Sequence, residues 1–218
     1  MSVQPARLAL LVITAFLMPW ISLRAQTGVT GKVATTGFGF DVTRSLADPL
    51  NLRLGFNRLG IVTGYDFDGN LRLDLQLESI PVLVDWHLFD NSFRLTGGLF
   101  YNRNRFTLSS RSGAQVEINE AQFRVESYAI RVSTDDFSPY LGFGWGRAND
   151  RSQRLAFAFD IGILFQGTPS VSGRAVASSP EIQDQLDLAF DAELESRRSD
   201  VSDLKLYPVV SLGLSFRF

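Results

Sequence analysis

Hydrophobic and polar residues alternate along most of this chain with a period of two. The clearest run is Leu155–Phe165, where large apolar residues hold every odd position and mostly small or polar residues hold the even ones. The alternation recurs in six further segments: Phe38–Val42, Leu52–Phe56, Leu71–Trp86, Phe93–Tyr101, Leu141–Trp145 and Val210–Phe218. Because successive side chains of a strand point to opposite faces, this pattern predicts an all-β protein.

One segment changes phase along its length. Its apolar residues hold odd positions from Leu71 to Leu77 and even positions from Val82 to Trp86. Ser79-Ile80-Pro81 lies between the two halves, and proline cannot donate a hydrogen bond to a neighbouring strand. The sequence therefore predicts a β-bulge near Ser79–Pro81, since one extra residue would restore the apolar face.

Two architectures fit strands of this kind. In a soluble sandwich the apolar face packs inward, whereas in a membrane barrel it meets lipid and the other face lines the lumen. Here the second face carries Gly, Ala, Ser and few charges, and aromatic residues such as Trp86, Tyr101 and Trp145 lie near segment ends. Both features favour a closed antiparallel transmembrane β-barrel with aromatic residues at the membrane interfaces.

The strand count must be even for a closed antiparallel barrel. Seven segments are evident, so an eighth strand comes either from Gln26–Ala34 or from within Val116–Val132. We expect eight strands, with ten as the alternative. Short connections with turn residues are predicted at three places, which we expect to face the periplasm. They are Ser45–Pro49, Phe89–Ser92 and Ala148–Ser152.

Long connections run from Ser109 to Asp136 and from Val171 to Asp203. In the second, Ser179-Pro180-Glu181 is a helix-start signal. Apolar residues then follow at i, i+4 spacing among acidic ones: Ile182, Leu186, Phe190 and Leu194. We predict one acidic amphipathic helix in this last long loop. It either packs its apolar stripe on the barrel mouth or serves as a lumen plug or partner-binding element.

The N-terminal residues differ from the rest of the chain. Leu8–Leu23 is almost wholly apolar, Arg7 precedes it and Ala25 follows it. This arrangement predicts a secretory signal peptide over residues 1–25 and a barrel domain over residues 26–218. A membrane anchor is the alternative, which Pro19 within the apolar run disfavours.

Composition narrows the possible chemistry. The chain has no cysteine, which excludes disulfides, thiolate metal sites and a cysteine nucleophile. Its net charge of -2 argues against a nucleic-acid partner. His87 is the one histidine and follows Asp85 by two residues. A lipid-modifying enzyme would need a Ser–His pair at the outer leaflet, but His87 lies beside a short turn, so we interpret it as structural. We predict no catalytic residues, no metal site and no cofactor.

Charged residues on the small-residue faces are the candidate site residues. They are Asp41, Arg53, Asp74, Asp85, Arg94, Asp160 and Arg217. Charges in a dry, narrow interior have to be paired, so the first interpretation is an ion-pair network that fills the barrel. The alternative is a narrow ion- or solute-selective pore, although an eight-stranded barrel is wide enough only for side chains or one small ligand.

The end of the chain carries the most specific pattern. In YPVVSLGLSFRF, apolar residues step back by two from Phe218 through Phe216. This resembles the C-terminal strand signature of outer-membrane β-barrels, which the barrel-assembly machinery reads. Other stretches resemble a widespread, largely uncharacterised family of small proteobacterial outer-membrane barrels: LADPLNLRLGFN, VLVDWHLFDNSFRLTGGLFYNRNRF, SPYLGFGWG and FDIGILFQGTPSV.

The resemblance implies a location in the bacterial outer membrane, with membrane lipids and the assembly machinery as partners. It implies no particular activity. We therefore expect an integral outer-membrane protein with a structural or surface-interaction role and no catalysis. The alternatives are a narrow channel or small-ligand transporter and, after that, an outer-leaflet lipid-modifying enzyme.

Overall fold

The computed structural model describes residues 27–65, 71–88, 92–110, 112–118, 121–146, 154–201 and 204–217. The predicted signal peptide and Phe218 lie outside this part of the chain. The described residues form β1 (Thr27–Ala34), β2 (Gly37–Ala47), β3 (Leu50–Tyr65), β4 (Leu71–Trp86), β5 (Phe93–Asn102), β6 (Arg105–Ser110), β7 (Ala114–Ile118), β8 (Ala121–Ser133), β9 (Phe137–Trp145), β10 (Leu155–Phe165), β11 (Ser170–Ala177), α1 (Gln183–Val201) and β12 (Leu206–Arg217). A short 3₁₀ turn, Pro180–Ile182, precedes α1.

Eight strands close into an antiparallel barrel in the order β1, β2, β3, β4, β5, β9, β10, β12. The barrel closes where β1 meets β12, from Gly28 opposite Arg217 to Ala34 opposite Ser211. This confirms the predicted eight-stranded barrel. The eighth strand is β1, the first of the two candidate segments, whereas 116–132 contributes strands outside the barrel.

The two ends of the barrel differ. The lower end holds the short connections after β2, β4 and β9, together with Thr27 and Arg217. The upper end holds the two long connections, after β5 and after β10, the β3–β4 hairpin and the tight β1–β2 turn. Long loops of such barrels face the outside of the cell, so the two long connections favour the upper end as the outer surface.

A second sheet rises above the barrel, and we call it the upper sheet. It consists of the upper halves of β3 and β4 and the strands β6, β7, β8 and β11. Within β4, Ser79–Trp86 pairs with β5 in the barrel, and Leu71–Gln76 pairs with β6. β8 then pairs with β6, β7 and β11. The two long connections are therefore folded against each other, and together with α1 we call them the upper unit.

The phase change within β4 marks a change of surroundings. The predicted bulge near Ser79–Pro81 was wrong, because β4 stays in one register with β3, from Leu54 opposite Val82 to Asn57 opposite Ser79. Below Ser79 the apolar side chains point outward, and Val82 is 42% exposed. Above Ser79 they point to the other face, where Leu71 packs against the core beneath α1. In the barrel the outward face of β4 meets lipid, so the apolar side chains are on that face. Above the barrel the outward face meets water and α1 covers the inner face, so the apolar side chains are on the inner face.

The helix α1 supplies that cover. Its side chains Leu186, Phe190 and Leu194 are buried in one cluster with residues of β7, β8 and β11. Gly173 allows the close approach, because a Cβ there would lie 2.8 Å from Phe190 Cζ. The predicted helix and its apolar stripe are confirmed, and the stripe packs on the upper sheet. No helix in the described part of the chain is long and apolar enough to span a membrane.

An apolar belt surrounds the barrel. Along β10 the odd residues point outward, and Phe157 is 82% exposed. β10 has 11 residues, which matches the roughly 9–11 that a tilted strand needs to cross a bilayer. Trp86 and Trp145 point outward near the lower end, where tryptophan is expected at a membrane interface.

Candidate functional site: the barrel lumen

Charged side chains from six of the eight barrel strands meet in the lower half of the lumen. They are Lys32 of β1, Asp41 of β2, Arg53 of β3, Asp85 of β4, Arg94 of β5 and Asp160 of β10. Each residue points inward because it alternates with a lipid-facing neighbour. We call this set the lumen network.

Arg53 and Asp160 form the centre of the lumen network. Arg53 Nη1 donates to Asp160 Oδ2 at 3.0 Å, and its Nη2 donates to Asp85 Oδ1 at 2.9 Å. Arg94 Nη2 donates to the other oxygen of Asp160, Oδ1, at 2.8 Å. Arg53 Nη1 also lies 3.6 Å from Asp41 Oδ2. One carboxylate therefore holds two guanidinium groups, and one of these reaches three carboxylates.

Lys32 completes the charge balance. Its Nζ donates to both oxygens of Asp41, at 2.7 and 2.9 Å. Three cations then face three carboxylates, so the lumen network has no net charge. Buried charges are strongly destabilising when they lack a partner, and this balance is the condition under which six of them can occupy a narrow interior.

Hydroxyl groups donate additional hydrogen bonds to carboxylate oxygens that already accept from Arg53. Thr96 Oγ1 donates to Asp85 Oδ1 at 2.7 Å, and Ser211 Oγ donates to Asp160 Oδ2 at 3.2 Å. Arg94 Nη1 donates to the carbonyl oxygen of Gly146. Charge-assisted bonds of this kind are stronger than neutral ones, so they fix the geometry of the network as well as its charge.

Two glycines leave the space that the carboxylates occupy. A Cβ at Gly55 would lie 2.0 Å from Asp41 Oδ1, and one at Gly144 would lie 2.6 Å from Asp160 Oδ1. Any larger residue would displace the carboxylate. The glycines at alternate positions in the sequence thus have a specific role, since they make room for ion pairs inside a closed barrel.

An apolar layer lies directly above the lumen network. It consists of Leu83, Phe100, Tyr140, Leu164 and Val209, all buried. The rings of Phe100 and Tyr140 are 5.3 Å apart. These side chains belong to five neighbouring strands, β4, β5, β9, β10 and β12, and they fill that side of the lumen.

Amide–hydroxyl pairs lie above the apolar layer. Asn57 donates to Ser79 at 3.0 Å, and Asn102 donates to Ser138 at 2.9 Å. All four residues are buried. The lumen is therefore filled in successive layers: charged, then apolar, then neutral polar.

Little space is left at the level of the lumen network. The cavity beside Arg53, Asp85 and His87 has a volume of about 10 Å³, which is about the room that one water molecule requires. A hydrated ion or a sugar does not fit such a space.

Five of the seven predicted lumen charges come together, and two lie elsewhere. Asp74 is in the upper half of β4, opposite Val62 and Thr107, and so lies above the barrel. Arg217 ends β12 at the lower rim, opposite Gly28. Lys32 was missed because its segment, TGVTGKVA, has weak apolar alternation. Its position opposite Gly39 and Gly213 became clear only from the pairing.

His87 lies at the lower end of β4, as expected from the short turn beside it. Its backbone N–H donates to the Pro49 carbonyl, and its Nδ1 lies 3.3 Å from Asn51 Nδ2. Its ring is buried. This position is far from the upper end, where an outer-leaflet lipid would enter. In the described residues, no three potential metal-ligating side chains come together.

A groove lies on the upper unit, between α1 and β11. Its volume is about 570 Å³, and it is lined by Gly173, Gln183, Asp187, Phe190 and Asp191 among others. Nearby, burial and, to a lesser extent, Glu193 raise the pKa of Tyr128, whose ring packs against Phe190. Exposed side chains of α1, Asp187 and Asp191, lie along the groove.

Comparisons with known proteins agree with this architecture. No protein-family model matches the chain, and no curated protein matches it. Among solved outer-membrane barrels, CarO of Acinetobacter baumannii aligns with a TM-score of 0.55 at 21% identity, covering 88% of this chain and 98% of the CarO chain. CarO2 of the same organism gives the same values. A major outer membrane protein from Thermus thermophilus aligns with a TM-score of 0.44 at 15% identity, covering 89% of this chain and 100% of that protein.

The chain has the fold of an outer-membrane β-barrel. The predicted resemblance to that class of barrels is confirmed at the level of the fold. For such a barrel the outward belt is the surface that contacts lipid. Phe216, one of the two residues of the predicted assembly signal, belongs to that belt and is 45% exposed, whereas its partner Phe218 is outside the described residues.

Proposed function

We propose that this protein is an integral outer-membrane barrel with a closed lumen, and that its role is structural or interactional rather than catalytic or transporting. The observation that carries this proposal is the neutral lumen network beneath an apolar layer. An ion would have to displace both layers to cross. The apolar belt, the eight-stranded closure and the end-to-end asymmetry support the location in the outer membrane.

The upper unit is the part of the molecule left for interaction. It uses residues from both long connections to bury a core of its own, which a solvated loop would not need. Its helix packs on the side of the upper sheet away from the lipid. In this proposal the barrel anchors the unit, and the unit presents α1 and its groove to the outside of the cell.

Planar-bilayer recording tests the closed lumen. We expect the purified, folded protein to produce no steady single-channel steps under conditions where a general porin does, because both filled layers block the path. A wild-type conductance that is reproducible and is abolished or altered by Arg94→Ala would contradict the proposal and support the narrow-channel alternative. Asp184→Ala, on the exposed side of α1, is the matched control that should leave any recording unchanged.

Cysteine labelling tests the orientation. The chain has no cysteine, so a single introduced thiol is the one site that can react. We expect Leu188→Cys on α1, where Leu188 is 75% exposed, to react with a membrane-impermeant maleimide on intact cells. Ser92→Cys in the lower connection should react only after the outer membrane is permeabilised. The opposite pattern would show that the barrel is inverted.

A further inference from the structure

Exposed arginines lie on the outward face at the base of the upper sheet, directly above the apolar belt. They are Arg58 of β3, Arg103 in the β5–β6 connection, Arg105 of β6 and Arg131 of β8, and we call them the arginine cluster. None of them takes part in the lumen network or in the core beneath α1. Neither the packing of the barrel nor that of the upper unit therefore explains these arginines.

Strand pairing places these arginines on one face. Arg58 is opposite Glu78, and Arg105 is opposite Gln76, the next outward residue up β4. Arg131 is opposite Thr107, which in turn is opposite Asp74. With neighbouring strands about 4.8 Å apart and alternate residues about 7 Å apart, the cluster covers roughly 20 Å.

The cluster begins where the belt ends. Phe38, opposite Arg58, is 62% exposed and belongs to the belt. Arg58 and Arg103 are in the same row as Glu78, one outward residue above Ile80, where β4 changes phase. The phase change marks the height at which the outward face stops meeting hydrocarbon. The arginines are thus at the level of lipid head groups.

Carboxylates neutralise only part of this positive charge. Arg103 Nη1 lies 3.8 Å from Glu78 Oε1, in an exposed pair. Within the described residues, no carboxylate forms an ion pair with Arg58, Arg105 or Arg131. Three exposed or half-buried acids lie near these rows: Glu78 and Asp74 on β4, and Asp135, two residues after the Ser133 that is opposite Arg105. Four arginines therefore face three acids, and in the described part of the chain only Arg103 of the four forms an ion pair. By contrast, the six buried charges of the lumen network cancel.

We propose that the arginine cluster binds the phosphate groups of outer-leaflet lipids, that is, the phosphorylated sugar head groups of a glycolipid. A guanidinium group forms paired, planar hydrogen bonds to phosphate oxygens. Each basic residue near an anionic lipid surface strengthens binding by a factor of about five. This inference rests on the proposed outer-membrane location and on the orientation with α1 outside, but not on whether the lumen is closed.

Native mass spectrometry of the full, folded protein in detergent provides the test. The probes are bisphosphorylated lipid A and the same lipid with both phosphates removed. We expect the wild type to retain the bisphosphorylated form, and Arg58→Gln combined with Arg105→Gln to weaken that binding about thirtyfold. The matched control, Arg124→Gln with Arg198→Gln, removes two exposed arginines that lie away from these rows, and it should bind like the wild type.

Several outcomes would overturn the inference. The wild type could retain the bisphosphorylated and the dephosphorylated lipid equally. The two double variants could weaken lipid binding equally, or inorganic phosphate could bind as strongly as the bisphosphorylated lipid. Heat-modifiable migration on a gel checks that each variant is folded. If the glutamine variant does not fold, Arg58→Lys with Arg105→Lys keeps the charge but loses the planar fork, and it should still bind the bisphosphorylated lipid less tightly than the wild type does. A negative result for lipid binding does not affect the conductance measurement. The lipid-binding inference and the closed-lumen proposal can therefore fail independently.

Discussion

Replacing Asp160 with asparagine is expected to lower the free energy of unfolding of the barrel by about 3–5 kcal/mol. The side chain keeps its shape, but the charge that holds Arg53 and Arg94 is lost. Asp160 is 5% exposed, so water cannot replace it. Asp85 would then face two guanidinium groups alone at the centre of the lumen network, with Asp41 already bound to Lys32.

Urea unfolding in detergent micelles, followed by tryptophan fluorescence, measures this loss. Trp145 on β9 is a suitable reporter, since β9 lies beside β10. Asp184→Asn, an exposed acid on α1, should change the value by less than about 0.5 kcal/mol. Arg94→Gln combined with Asp160→Asn should cost less than the sum of the two single changes, because the partners interact. A strictly additive pair would show that the ion pair does not stabilise the barrel.

Replacing Phe190 with alanine is expected to release α1 from the upper sheet while the barrel stays closed. Phe190 packs edge-on against Tyr128, with ring centroids 5.7 Å apart, and it lies over Gly173. Removing a buried phenylalanine costs about 3–5 kcal/mol. The core of the upper unit is small, so this loss is a large part of its stability.

Trypsin reports the release of α1 directly, because Arg197 and Arg198 lie within it. We expect cleavage there to accelerate by at least about two orders of magnitude, since the protease acts on the open state and each 1.4 kcal/mol is tenfold. Leu188→Ala, at a position that is 75% exposed, is the matched control and should be cut at the wild-type rate. Unchanged cleavage of the Phe190 variant would show that the apolar stripe does not hold α1 in place.

The period of two was sufficient to predict the barrel, because lipid on one side and a narrow lumen on the other impose a regular alternation. Seven strands were found in this way. β1 was left undecided since its outward residues, Val29, Gly31 and Val33, are small. Its place in the barrel is established by pairing with β12, which is distant in sequence.

The lumen site was predictable in its residue types but not in its exact membership. Alternation shows which face a charge occupies, yet it does not show the height of that charge along the barrel axis. Asp74 was therefore grouped with Asp85, although the strand has already left the membrane at that point. The same reasoning predicted a bulge at the phase change of β4. The alternation shows which face of a strand is apolar, but it does not show whether lipid or a packed helix covers that face.

The pairing of β1 with β12 has a consequence for how the barrel forms. Gly28 meets Arg217, so nearly the whole chain separates the two strands that seal the wall. Contacts between such distant residues form slowly. Until β12 arrives, β1 presents an open edge that can pair with another strand, and Asp160 on β10 is not yet enclosed with Arg53 on β3. Lys32 and Asp41 are neighbours within one hairpin, so their pairing does not wait for closure, whereas the burial of Asp160 between Arg53 and Arg94 is a late event.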